Sequence, residues 1–386
     1  MKRFLTAIFI LGAAILYVQG AASAQVLVVG TKGPACSNPA YATIQSAIDA
    51  AAAGATIRVC AGIYPEQLTI TKSLTIHGDS GAWVQPAGMT ANVSTLPEPT
   101  SAVINVANAA DVNIEGLIID GSKNGIGECA PYLVGVLYQN SSGELDHNAI
   151  RDMKLSAALN GCQSGDGVDV ISTGTPTTVT ISNNSIHGYQ KNGVTVNQAG
   201  TTAYVRRNVI KGQGRTYGAA ENGVQIGYGA QGQIINNIVT NHQFIPCTGP
   251  DTCGAASTGI LIFESNGVLV EQNTLEMNQL SVYVQGNNAS VTQNSVVNTV
   301  DLDGISLIGN SNTASQNRVI HSDQANIVID GNNNEATDNE VMEAPIGIWK
   351  VTGSSGTVIS ANRYFATLVE VQDPAANPNV HVQPRP

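Results

Sequence analysis

The sequence predicts an all-β fold: a single-stranded parallel β-helix, a solenoid, with an amphipathic helix capping its N-terminal end. Three observations predict it. Between residues 193 and 361 short units recur, each with an apolar strand, a polar turn, a second strand, an Asn and a third short strand. The Asn stands at 148, 184, 208, 237, 273, 294, 317, 339 and 362, and the last four spacings are 21, 23, 22 and 23 residues. A fixed period in this range marks a solenoid, and three strands per period with no helical pattern between them mark a β-helix. The residue two places after each Asn is apolar without exception: Ile150, Ile186, Ile210, Val239, Leu275, Val296, Val319, Val341 and Tyr364.

Within each unit the apolar residues alternate, as in Val194/Val196, Val224/Ile226, Ile260/Ile262, Val282/Val284 and Ile305/Leu307. A period of two turns these side chains inward and their neighbours outward. One coil cannot bury its own apolar row, but coils stacked about 4.8 Å apart can. Stacked Asn side chains are expected to bond to the coils above and below as a ladder. About ten coils are expected.

The chain begins with a basic Lys2-Arg3, an apolar run from Phe4 to Val18, and Ala22-Ser23-Ala24. This pattern reads as a secretory signal over residues 1–24, with a run too short for a membrane span of about 20 residues. The expected domain layout is a signal peptide at 1–24, the β-helix at 25–372 and a Pro-rich tail at 373–386. The product would be exported, secreted or periplasmic, with no integral membrane segment after cleavage, and monomeric. The chain has 17 basic and 28 acidic residues; without Lys2 and Arg3 the balance is 15 against 28, or −13. Such a chain repels phosphates, so nucleic acid is excluded as a partner. Anionic polysaccharides meet the same repulsion unless a bound cation offsets it. The metal requirement is open, with calcium as the cation to screen.

Six cysteines stand at 36, 60, 129, 162, 247 and 253. In an exported chain disulfides are the default, and six cysteines allow 15 pairings. Nearness in sequence suggests Cys36–Cys60, Cys129–Cys162 and Cys247–Cys253.

At the N-terminus, residues 26–30 read as a strand. Residues 43–54 read as a helix, with Thr43 as N-cap, Ile44, Ala47, Ile48 and Ala51 on one stripe, and Gly54 as the stop. Strands follow at 56–60, 67–70 and 73–77. The first coil of a solenoid exposes its apolar end, so the helix is the candidate plug. The run Tyr41-Ala42-Thr43-Ile44-Gln45-Ser46-Ala47-Ile48, then Ile57-Arg58-Val59, Gly62-Ile63-Tyr64-Pro65-Glu66, Leu74-Thr75-Ile76 and Gly78-Asp79, resembles the opening of pectin methylesterases and other pectin-lyase-like β-helix proteins. The Asn-marked units are similar to the generic right-handed β-helix repeats of that superfamily. The resemblance implies a right-handed helix but no particular reaction. The Asp-Phe-Ile-Phe-Gly and Gly-Arg-Pro-Trp motifs of the esterases, the Gly-His-Gly of polygalacturonases and the Asp-Pro-His of alginate epimerases do not occur.

The middle periods are longer, with extra residues at 121–134, 151–166, 211–222 and 240–258, each before a Gly-led strand. Insertions into successive coils on one side build a wall beside a strand face, and functional residues concentrate on such loops. The Gly-led strands should show Asp169, Thr195, Gln225, Leu261, Tyr283, Ser306, Val328 and Trp349 outward in one row. Asp166, Lys191, Asn192, Glu221, Asn222 and Asp303 enter those strands, and Arg215 and Tyr217 lie on a loop. The candidate catalytic set is therefore Asp169, Lys191, Arg215, Asp166 and Glu221, with Thr195, Gln225, Tyr217 and Tyr283 as substrate-binding residues. Paired carboxylates do glycosidic acid/base work, whereas a Lys or Arg base with a cation could abstract a proton beside a sugar carboxylate. Asp-Gly at 166–167 and 303–304, and Asn-Gly at 192–193 and 222–223, also suit tight corners. His77, His147, His187, His242 and His321 read as solvated. Two functions follow: a protein that binds or cleaves an extracellular polysaccharide as a lyase or hydrolase, or a non-enzymatic structural, surface or adhesive β-helix.

Overall fold

The computed structural model describes residues 25–246 and 255–373. Three parallel sheets run the length of the chain, one of 13 strands and two of 12. Each coil contributes one strand to each sheet. One coil runs from the Gly-led sheet (Asp166–Ile171) to the 13-stranded sheet (Thr177–Ser182), then to the third sheet (Ser185–His187), and re-enters the Gly-led sheet at Asn192–Asn197. The strands exceed the expected ten coils because the first coils lack the ladder Asn and escape a search for its period.

The nine Asn form one column. The backbone N–H of Asn148 donates to Asn184 Oδ1, and the same bond links 184 to 208, 208 to 237, 237 to 273, 273 to 294, 294 to 317, 317 to 339 and 339 to 362, each at 2.9 Å. The residue before every ladder Asn is a non-glycine with φ between +53° and +57°. That left-handed conformation costs about 1–2 kcal/mol per residue, which the buried Asn bonds offset. Two places on, Ile150, Ile186, Ile210, Val239, Leu275, Val296, Val319 and Val341 are fully buried, and Tyr364 packs partly buried against them.

The N-terminal plug is a helix at Ile44–Ala50, shorter than the 43–54 expectation, because the backbone turns extended at Ala51. Thr43 accepts from Ser46 N. Glu66, from a neighbouring coil, accepts from Ile44 N at 2.8 Å and Gln45 N at 2.9 Å, satisfying two orphan donors at the helix start. Ile44, Ala47 and Ile48 close the core. Cys36–Cys60 and Cys129–Cys162 are disulfides. Cys247 and Cys253, the proposed signal at 1–24 and the tail beyond Asp373 lie outside the described residues. No helix among the described residues is long and apolar enough to cross a membrane.

Candidate functional site

The Gly column decides which side chains face out. A Cβ on Gly193 would sit 2.6 Å from Gly223 O and 2.6 Å from Ile210 Cγ2; on Gly167, 2.6 Å from Gly193 O and 2.7 Å from Ile186 Cγ2. These glycines serve close approach between the Gly-led strand and the apolar row of the third sheet, and none has a positive φ. The corner reading of Asp-Gly and Asn-Gly is thereby corrected. With glycine pressed inward, the residues one before and two after it share the outer face. Asn192 Nδ2 donates to Thr195 Oγ1 at 2.9 Å, and Ser306 Oγ donates to Asp303 Oδ2 at 3.4 Å.

Asp166 and Asp169 flank Gly167 in this way. The register runs Leu137, Asp169, Thr195, Gln225, Leu261, Tyr283, Ser306, Val328 and Trp349 along the sheet, matching the expected row. Asp166 is fully buried. Its Oδ2 accepts from Thr195 Oγ1 at 2.6 Å and its Oδ1 from Asn192 N at 3.0 Å. Tyr132, entering the preceding strand, also bonds to it. Burial raises the Asp166 carboxyl to about 6, with Thr195, Tyr132, Lys191 and Asn192 pulling the other way. Asp169 is partly exposed, and its Oδ1 is buried with no hydrogen-bond partner. Burial, then the charge of Asp166, push its carboxyl well above the ordinary range. The environments therefore divide the pair: Asp166 is the carboxylate held by donors, and Asp169 is the one pushed toward its protonated form.

Around the pair, Lys191 Nζ donates to Ala220 O at 2.8 Å, and burial lowers its pKa while Asp166 opposes that shift. Gln225 Nε2 donates to Asn197 Oδ1 at 3.1 Å. Asn222 Nδ2 donates to Asn192 Oδ1 at 3.0 Å, continuing the polar row. At one end the segment 85–99 lies over the sheet: Val93 and Leu96 pack on Val134, Leu137 and Tyr132, and Thr95 Oγ1 donates to Gln139 Oε1.

The remaining expected residues lie elsewhere. Arg215 pairs with Asp301, Nη2 to Oδ2 at 3.6 Å. Tyr217 is 74% exposed on its loop. Tyr283 is in the outer row but packs beside Leu280, Leu302 and Phe244. Glu221 is buried at the corner before its strand. Its Oε1 accepts from Gln213 N at 2.8 Å and lies, with His242 Cδ2, under Gly212. Burial raises Glu221 to about 8. His242, read from the sequence as solvated, is fully buried: its Nδ1–H donates to Asn278 Oδ1 at 2.7 Å, so Nε2 accepts from the Tyr189 hydroxyl. Burial lowers its pKa to about 4. Among the described residues no three His, Cys, Asp or Glu side chains group as metal ligands.

The model of the right-handed β-helix region matches residues 179–364, in keeping with the right-handed parallel β-helix fold of the chain. Among solved structures it is similar to a GH136 lacto-N-biosidase from Eubacterium ramulus, with a TM-score of 0.57 and 12% identity over 89% of this chain and 68% of that one. It is also similar to the A-module of the Azotobacter vinelandii mannuronan C-5 epimerase AlgE6, with a TM-score of 0.52 and 13% identity over 86% and 94%. A third is PfbA, a surface adhesin of Streptococcus pneumoniae, with a TM-score of 0.50 and 11% identity over 85% and 87%. At these identities the likeness is one of fold. No curated protein matches the sequence.

Proposed function

We propose that this protein is an extracytoplasmic glycan hydrolase that holds a polysaccharide along the outer face of the Gly-led sheet. The observation that carries it is the Asp166–Asp169 pair: two carboxyls on one outward face, one locked by donors and the other partly exposed with a raised pKa. Asp169 is the general acid. Its proton goes to the glycosidic oxygen as the bond from that oxygen to the anomeric carbon breaks. Water adds to the anomeric carbon and its proton returns to Asp169. Burial, and then the charge of Asp166 beneath, favour the protonated form of Asp169, and the Asp166 carboxylate stabilises the positive charge that develops on the sugar. Thr195 and Tyr132 position Asp166.

The two disulfides suit an oxidising compartment. The formal net charge of −11 favours a neutral glycan over a polyanion. Sugar-active relatives of the fold, such as the lacto-N-biosidase, make the reading a natural first assay. The test is a polysaccharide panel, run with and without calcium, reading new reducing ends and unsaturated ends. Reducing ends lost in Asp169→Asn support a hydrolase; unsaturated ends would move the reading to a lyase. The non-enzymatic alternative draws on the far coils, where Asn266, Asn287, Asn310 and Asn332 stack in a regular ladder at the surface. Product formation from any glycan counts against it.

A further inference from the structure

Around the corner from the carboxylate pair, the wall of loops has a notch. Every coil turns from the third sheet into the Gly-led sheet at this edge. The coil before the notch spends residues 152–165 on the turn, and the coil after it has a strand prolonged to Thr216 with a register shift between Lys211 and Gly214. The coil between them crosses directly, from His187 to Asn192. Two long turns flanking a short one leave a cavity of about 270 Å³, floored by Gln190 and walled by Lys154, Leu155, Asn160, Gln213 and Thr216.

The notch is built rather than incidental. Gln190 is 4% exposed and uses its whole carboxamide on the near wall: Nε2 donates to Leu159 O and Cys162 O, both at 2.9 Å, and Oε1 accepts from Leu155 N at 3.0 Å. Cys129–Cys162 ties that wall down. The far wall docks on it, because Ala219 N donates to Asn160 O at 2.8 Å and Gly218 leaves no room for a Cβ, which would lie 2.4 Å from the same oxygen. Gln213 is fixed from below by Glu221 and by Tyr189 O. The lining sets three amides and one hydroxyl among small apolar side chains, with a single cation, Lys154, which has Asp152 3.8 Å away. Tyr217 stands between the lining residues Thr216 and Gly218 with its ring in solvent.

We infer that this notch is a second carbohydrate site, taking one neutral glycosyl unit with Tyr217 stacked on its face and Gln213 and Asn160 on its hydroxyls. Amides and hydroxyls match a sugar's hydroxyls, and an exposed ring beside them supplies an apolar face. The size suits a single small ligand, below the roughly 300–1,000 Å³ of drug-sized pockets. The floor and the groove share a backbone: Gln190 lines the notch, and Lys191 and Asn192 border Asp166. The site would therefore hold a branch or a neighbouring unit of the chain seated on the sheet.

Both sites presume the glycan reading, yet they fail separately, because the notch is read by retention and the carboxylate pair by product release. The experiment is affinity electrophoresis of the full protein in gels containing barley β-glucan, arabinoxylan or galactomannan, with alginate as the anionic control. At least one neutral glycan should retard the wild type. Tyr217→Ala and Gln213→Ala should each weaken that retention about three- to tenfold. Tyr217 is exposed, so its variant tests the site without disturbing the core. Retention unchanged in both variants, retardation by alginate alone, or no retardation of the wild type by any of the three neutral glycans would overturn the assignment.

Discussion

Asp166-Gly167-Val168-Asp169 and Asp303-Gly304-Ile305-Ser306 enter the same sheet at opposite ends of the row, with the same Asp-Gly start. In both, glycine is pressed against an apolar side chain of the third sheet, Ile186 Cγ2 at 2.7 Å or Val319 Cγ1 at 2.5 Å. In both, the Asp and the residue three places on share the outer face. The difference is what the partner is and what stands beside it. Asp166 meets a second carboxyl, with insertions in the surrounding coils, whereas Asp303 meets a hydroxyl in coils whose turns are short, such as 323–324 and 343–345. The scaffold's geometry is the same in both places, and the two differ in the ionisable residue that one repeat position carries beneath a wall of loops.

The largest expected effect would break that comparison if absent. Asp169→Asn should lower the turnover of any cleaved glycan by about 10²–10⁴, the usual contribution of a general acid, while Asp303→Asn leaves it unchanged. Initial rates of reducing-end release check this, and equal losses in both variants would remove the distinction between the two ends. Next in size is packing. Gly193→Ala forces a Cβ to within 2.6 Å of backbone and of Ile210, and should cost about 1–3 kcal/mol in chemical denaturation. Gly304→Ala should cost a similar amount, since the close approach is the same at both ends.

The ladder sharpens the point. Asn237→Ala, among the looped coils, and Asn317→Ala, among the short ones, leave the buried backbone N–H of Asn208 and of Asn294 unpaired and should each lower stability by about 1–3 kcal/mol. A marked inequality would show that the loops carry part of the load.

A further effect is a slope in pH. Glu221 is held at about 8, above its unfolded value of 4.5, by burial. A raised acid contributes stability that is complete below 4.5 and is lost as pH climbs to 8. Glu221→Gln should therefore flatten the fall in melting temperature across that window. His242 acts in the opposite sense, losing stability as pH falls from 6.5 toward 4.

Periodic features were legible in the sequence because they repeat. The Asn column, the outward row from Asp169 to Trp349 and the Cys36–Cys60 and Cys129–Cys162 pairs all follow from spacing. What spacing could not supply are contacts made across unequal loops. His242 meets Tyr189 from 53 residues away, and no period links them. Tyr132 lies at a strand entry ahead of the position aligned with Asp166, so its bond to that carboxylate is invisible until the coils are stacked. Nearness in sequence puts Glu221 and Arg215 in the groove, whereas the turn after the register shift carries one under Gly212 and the other to Asp301. Asp-Gly and Asn-Gly are turn-forming pairs in sequence, and only the distance to Ile186 and Ile210 reveals the tighter constraint on these glycines.

The most direct measurement is the rate of reducing-end release from a panel of neutral polysaccharides by the wild type, Asp169→Asn and Asp166→Asn, with circular dichroism confirming that all three are folded. Release by the wild type that falls at least about a hundredfold in Asp169→Asn is the predicted result. Release at the wild-type rate by both folded variants, or none from the wild type, would contradict it.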